Sequence, residues 1–247
     1  MASTQSPAPD SGAVMERLDR VTDPELDRSI VELEYVDRVR LLPPHVVVEF
    51  TLPTAWCSPA FAWMMASDAR EGIEDLPGVE HATVYLHDHM HAAEINHGVN
   101  RDVPFGEAFP DADGGVREVR ATLDDKARLA RQHDAVTALL EAGLRPEQVV
   151  ELIRGDVELS EPARVSLAEE AFSVTVDPEP LAAYLEKARA TGRVAAPGDR
   201  LFYTPEGEPI PVERFDLVRR RTRLAQVNMG GQGTVCDALN EARDRPR

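Results

Sequence analysis

Val46-Val47-Val48-Glu49-Phe50-Thr51-Leu52-Pro53-Thr54-Ala55-Trp56-Cys57-Ser58-Pro59, running on into Ala60-Phe61-Ala62-Trp63-Met64-Met65, is the stretch on which the fold turns. The β-branched run Val46–Phe50 lies between Pro43-Pro44 and Pro53, which predicts a buried strand. Ser58 is a helix-capping residue type, and Pro59 suits a first helical turn, where a missing N–H costs nothing. Cys57 therefore falls just ahead of a helix N-terminus. The unpaired N–H groups there favour a thiolate, and a free thiol titrating near about 8.5 can be lowered by such a setting. A sulfur so placed is a soft-metal ligand or a nucleophile; the alternative is a small buried thiol.

Outward from this stretch the pattern stays regular. Tyr35-Val36-Asp37-Arg38-Val39-Arg40 alternates apolar and polar residues, so it reads as a half-buried strand forming a hairpin with Val46–Thr51. A helix is predicted over Ser58–Ile73, a turn at Leu76-Pro77-Gly78-Val79, and a third strand over His81–Leu86. Upstream, a helix is expected from about Ala13 to Val21, stopped by Thr22-Asp23-Pro24-Glu25. The order α-β-β-α-β defines an α+β fold, with a small first domain over 13–100, a tail over 1–12 that reads as disordered, a linker over 101–118 and a mainly helical region over 119–247.

The 247 residues carry 44 acidic and 27 basic side chains, a net charge of −17, which argues against nucleic-acid binding. The most basic cluster, Arg219-Arg220-Arg221 with Arg223, is too short to reverse that. No apolar run approaches the roughly 20 residues that span a bilayer, and the Ser/Ala/Pro-rich start lacks the features of a signal peptide. Two cysteines, Cys57 and Cys236, make no disulfide framework. A cytoplasmic, reducing location is the expectation.

Asp23-Pro24-Glu25, Ile30-Val31-Glu32-Leu33 with Tyr35-Val36, Thr51, the loop cysteine Cys57 and Leu76-Pro77-Gly78-Val79 come in an order that resembles the SufT/PaaD-type iron–sulfur cluster assembly domain over roughly residues 14–90. The resemblance implies that Cys57 is the functional residue and that Asp23, Glu25 and Thr51 shape its site. The family pattern has proline directly after the cysteine, whereas Ser58 intervenes here. Leu52–Cys57, Asp88-His89, Ile95–Val99 and the Arg219–Cys236 tail resemble a longer actinobacterial subfamily associated with soluble di-iron monooxygenases. That implies a client metalloprotein, such as a monooxygenase component, and other iron–sulfur assembly proteins as partners.

Five of the seven histidines, His81, His87, His89, His91 and His97, fall within 17 residues. If the third strand continues, His87, His89 and His91 share one face and can bind a divalent metal, with Cys57 completing a sulfur–nitrogen site. The bland alternative is a solvated strand end.

In the second half, helices are predicted over Leu123–Ala142, stopped by Gly143, over Glu147–Ile153 and over Leu181–Ala190. A hairpin is expected around Pro205-Glu206-Gly207-Glu208 and a helix over Val212–Arg221. A strand over Leu224–Met229, a turn at Gly230-Gly231-Gln232-Gly233 and a last helix over Thr234–Arg243 complete the reading, with Cys236 in that helix's first turn.

Three functional readings follow. The first is a maturation factor, rather than a catalyst, that binds and transfers iron or an iron–sulfur cluster through Cys57, with Cys236 as a second functional cysteine. Two cysteines are too few for a conventional four-cysteine cluster, so other ligand types, a second copy in a homodimer, or the client would complete it. The second is a mononuclear metalloenzyme or metal-binding protein built on His87, His89 and His91. The third is a metal-free assembly adaptor.

Overall fold

The computed structural model describes residues 9–112, 115–167 and 172–243; residues 1–8 of the expected tail and 113–114 of the expected linker lie outside them. The chain divides into two units, one made of Met1–Arg120 with Gly231–Arg247 and the other of Ala121–Gly230.

The first unit opens with α1 (Ser11–Leu18), two residues earlier than the pattern predicted because Asp10 caps it, accepting the Ala13 N–H at 2.7 Å. Two short strands, β1 (Thr22–Asp23) and β2 (Arg28–Ser29), pair antiparallel and frame the Asp23-Pro24-Glu25 turn. The main sheet is β3 (Val36–Leu42), β4 (His45–Thr51) and β5 (His81–His87) in that spatial order. The pair β3/β4 is antiparallel and joined through Pro43-Pro44, while β4/β5 is parallel, with Thr51 opposite His87. A parallel pair needs a crossover, and α2 (Pro59–Glu74) supplies it. Ala62, Trp63, Met65, Ala66, Ala69 and Ile73 of α2 join Val46, Val48 and Phe50 of β4 and Ala82, Val84 and Leu86 of β5 in one core. These assignments match the predicted hairpin, helix and third strand.

The chain departs from expectation after His87. Asp88 takes a left-handed conformation (φ 51°) that ends the strand, and α3 (Ala92–Asn100) begins just beyond, with His91 at its N-cap. Asp is one of the few non-glycine types that enter this region readily. The supposed common strand face of His87, His89 and His91 therefore does not exist. Instead, α3 lies along the outer edge of β5. Asn96 Oδ1 accepts the Leu86 N–H at 2.8 Å and its amide donates to Leu86 O at 3.0 Å. One helical turn on, Asn100 does the same for Val84 at 2.9 and 2.7 Å. Glu74 at the end of α2 accepts the Ala82 N–H at 3.0 Å. Three alternate N–H groups of the edge are thus satisfied by side chains.

A short helix, α4 (Phe105–Ala108), follows within the stretch expected to be a linker. Phe105 and Phe109 pack edge-on against Trp63 at 5.3 and 6.1 Å. α5 (Val116–Glu141) ends as predicted at Gly143, whose φ of 97° lets Gly143 and Leu144 N–H return to Leu140 and Leu139 carbonyls.

In the second unit, α6 (Pro146–Glu151) and α7 (Pro178–Ala190) correspond to predicted helices. Between them lies an antiparallel sheet, β6 (Val157–Glu158), β7 (Ala163–Leu167) and β8 (Phe172–Val176), a hairpin region the pattern did not announce. Around Pro205–Glu208 the chain reverses, with Thr204 N–H bonding Glu208 O and a single bridge, Tyr203 to Pro209. The core gathers Val149, Val165, Leu181, Tyr184, Val194, Leu201 and Phe202.

The last element corrects three expectations at once. Phe215–Arg243 is one uninterrupted helix, α8. Leu224–Met229 is helical rather than a strand, Gly230–Gly233 is not a turn, and Cys236 lies deep within the helix, not in its first turn. Each of the three glycines in this helix costs about 1 kcal/mol, and contacts made by Gln232, Asp237 and Asn240 work against that cost.

Candidate functional site

Cys57 sits where the sequence placed it, one residue ahead of the Ser58 N-cap and Pro59 at the head of α2. Ser58 makes no side-chain cap; its carbonyl accepts the Phe61 and Ala62 N–H groups instead. The thiol is half-buried, packs against the main core, and lies 3.1 Å from the Thr54 hydroxyl, two groups that can share a proton in either direction.

The backbone of this loop is pinned from the β5–α3 connection. Met90 N–H donates to Ala55 O at 2.8 Å. His89 is 92% shielded from solvent, and both its ring nitrogens are engaged. The His91 N–H donates to Nδ1 at 3.2 Å, which leaves the ring proton on Nε2 to donate to Cys57 O at 2.9 Å. His89 thus holds the main chain of the cysteine through its ring. His87 stands on another face, 3.4 Å from Glu49, which also pairs with Arg40 at 2.7 Å. His91 lies 3.9 Å from Glu94 and edge-on to Phe109. The three histidines thus have three different settings.

The Asp23-Pro24-Glu25 turn carries a buried acid. Asp23 is only 8% exposed; its Oδ1 accepts the Glu25 and Leu26 N–H groups at 2.8 and 3.1 Å, and its Oδ2 faces the Tyr35 hydroxyl at 3.3 Å. Burial raises the Asp23 carboxyl above its ordinary range, against the pull of those three hydrogen bonds. Tyr35 is pushed well up, by burial first and then by the charges of Asp23, Cys236 and Cys57. Thr51 ends β4 with its hydroxyl donating to Asp37 at 2.6 Å and its N–H to Tyr35 O at 2.9 Å, which fixes Tyr35 over Asp23.

The end of α8 closes this side of the unit. Gln232 donates to Glu25 at 2.9 Å, Asp237 receives Arg28 at 3.0 Å, and Asn240 donates to Leu33 O at 3.0 Å. Residues 232, 233, 236, 237 and 240 form one helix face, so Cys236 is turned toward the same core cluster as Cys57. Its thiol is pushed up to about 11, by burial first and then by the charges of Asp23 and Cys57. Cys57, Cys236, Asp23, Glu25 and Thr51 thus belong to one neighbourhood, with Cys57 and Cys236 close enough to influence each other electrostatically.

Sequence reasoning passed over Thr54 and the roles of Tyr35 and His89. A signal for the α8 contact was present in the polar residues Gln232, Asp237 and Asn240 at helical spacing. Among the described residues no group of three or more His, Cys, Asp or Glu side chains is arranged to hold a metal ion, and no helix is long and apolar enough to cross a membrane.

No curated protein matches the chain. Residues 12–84, which run from α1 to the middle of β5 and include Asp23, Glu25, Thr51 and Cys57, match the family described as iron-sulfur cluster assembly protein, and this domain carries the chain's resemblance to that family.

Proposed function

We propose that this chain is a maturation factor that holds iron or an iron–sulfur unit through the Cys57 thiolate and passes it to a client metalloprotein, a di-iron monooxygenase component being the client the tail resemblance favours. The family match over residues 12–84 supports cluster assembly as the process. The observation that carries the cysteine's role is the contrast in how it is held: its carbonyl is fixed by His89, while its sulfur meets only the Thr54 hydroxyl among the hydrogen-bonding groups of the described residues. A fixed main chain with a half-exposed thiol is the arrangement of a ligand aimed at something outside its own chain.

Cys236 supplies a second sulfur. Two thiolates leave coordination positions of a cluster or iron ion open, to be filled by client ligands or by a second copy of the chain. Incomplete ligation makes the cargo exchangeable: client thiolates or carboxylates replace Cys57, with no change of oxidation state required. The Thr54 hydroxyl lies beside the sulfur and can exchange a proton with it, and the raised Asp23 carboxyl provides a proton site in the same neighbourhood. Trp56, 76% exposed, and Met90, 66% exposed, border the pinned loop and give a client an apolar footing.

The test is iron and acid-labile sulfide content of protein prepared without oxygen, wild type beside Cys57→Ala. Iron with sulfide in the wild type and not in the variant supports the reading. Metal without sulfide that survives Cys57→Ala moves the site to the histidines. No metal in either, with client maturation intact in Cys57→Ala, leaves a metal-free adaptor.

A further inference from the structure

The basic cluster that composition left unexplained has a defined place in the second unit. Asp216, Arg219, Arg220 and Arg223 recur at three- and four-residue spacing on α8, and His133 and Thr137 do so on α5. Together they line an open groove of about 450 Å³. Arg221, which is not part of this wall, pairs with Glu206 at 2.5 Å. Arg219, Arg220 and Arg223 form no ion pair among the described residues, although acids outnumber bases in the chain by 44 to 27. In so acidic a protein, three adjacent guanidinium groups without carboxylate partners are held apart for another anion.

The wall is also short of hydrogen-bond partners. Thr137 Oγ1 and His133 Nδ1 are shielded from bulk water and unpartnered among the described residues. Burial disfavours the charged imidazole of His133, with Arg219 and Arg223 adding to that bias and Asp134 opposing it. An anion in the groove would favour a proton on Nδ1, a donor beside the Thr137 hydroxyl. Asp216, the one carboxylate of the lining, leaves the wall net positive and offers an acceptor for a ligand hydroxyl.

We propose that this groove binds the phosphoryl groups of a small organic polyphosphate. Guanidinium groups match phosphate oxygens with paired, planar donors. The volume exceeds what a single phosphate fills and falls in the range of small-ligand sites. The high overall negative charge disfavours a long nucleic acid, whose backbone would meet acidic surface beyond the groove.

The test is calorimetric titration of the full chain with inorganic pyrophosphate, orthophosphate and a nucleoside triphosphate, repeated on Arg219→Gln/Arg223→Gln and on Arg221→Gln. Saturable one-to-one binding of pyrophosphate and the triphosphate is expected, both tighter than orthophosphate. The double variant should weaken it by at least about tenfold, a loss of roughly 1.4 kcal/mol, and Arg221→Gln by no more than about twofold. Further tightening by the nucleoside would support Asp216 as a hydroxyl acceptor. Absence of saturable binding by the wild type at millimolar ligand overturns the proposal. Equal weakening in Arg221→Gln reduces it to diffuse charge, and orthophosphate binding as tightly as pyrophosphate rejects the polyphosphate class. Binding of poly-glutamate that pyrophosphate fails to displace would assign the groove to an acidic protein segment instead.

Discussion

At the scale of single residues, the two cysteines differ in a way that can be read chemically. Cys236 has its thiol pushed up to about 11 and sits on a helix face turned to the core, so near pH 8 it is almost wholly protonated. Cys57 lies on a loop at a helix head. Iodoacetamide at about pH 8 should therefore modify Cys57 much faster than Cys236, as followed by peptide mass spectrometry; equal rates would remove the basis for treating Cys57 as the outward ligand. Asp23 yields a prediction of opposite character. Because burial raises its carboxyl pKa, the folded chain holds that proton more tightly than the unfolded one. Stability associated with Asp23 is therefore greatest at acid pH and declines as pH rises through the unfolded and then the folded value. Asp23→Asn keeps an oxygen for the Glu25 and Leu26 N–H groups and removes this decline. Urea melts at about pH 4 and about pH 7 should show a variant that gains on the wild type as pH rises, while its cluster handling falls. A variant that loses stability at neutral pH would mean that the ionised acid is structural rather than retained for function.

At the scale of elements, α2 and α3 approach so closely that Gly98 has no room for a side chain: an added Cβ would lie 2.2 Å from the Trp63 ring. Gly98→Ala must displace Trp63 and with it the Phe105 and Phe109 packing, a loss of about 1–3 kcal/mol by overpacking, measurable as a lower urea midpoint. His89→Ala removes the ring that joins α3's head to the Cys57 carbonyl. It should cost about 1–3 kcal/mol for the buried groups left unpaired and speed hydrogen exchange over residues 54–58 more than over β4. Uniform acceleration would show that the ring merely stabilises the unit as a whole. These elements also show what a sequence discloses. The period-two pattern of Tyr35–Arg40, the Val46–Phe50 run and the Ser58-Pro59 start were legible because each depends on neighbours in the chain. The end of β5 was not, since His87-Asp88-His89-Met90-His91 alternates like a strand, and only the φ of Asp88 shows the break. Gly230-Gly231-Gln232-Gly233 misled for the converse reason. Its helical state is supported by Gln232, Asp237 and Asn240 reaching residues more than 200 positions away, and local propensity carries no trace of that.

At the scale of the whole molecule, charge is the dominant property. With a net −17, mutual repulsion opposes folding more than scattered surface ion pairs support it. Raising sodium chloride from about 20 to about 200 mM shortens the screening length severalfold, so the melting temperature should rise, as scanning calorimetry would record. A fall would place the balance with the ion pairs, such as Arg28–Asp237 and Arg70–Asp102. Residues Gly231–Arg247 belong with Met1–Arg120, an assignment hidden from any left-to-right reading, which parses domains as continuous spans. The α+β class was legible from patterns; the membership of the tail was not.

The amide ladder along the far side of β5 has a consequence for recruitment. Glu74, Asn96 and Asn100 occupy the positions at which a visiting polypeptide would dock its own main chain, so that flank is closed to strand addition. The opposite flank, β3, pairs only with β4 among the described strands; its side chains alternate half-buried and exposed from Arg38 to Leu42, after a register shift between Val36 and Arg38. Under the proposed maturation role, a client that extends this sheet would use the β3 flank, beginning at Val36 and Asp37 next to the Tyr35 and Thr51 that frame the buried acid, which would bring docking and delivery to the same corner of the domain.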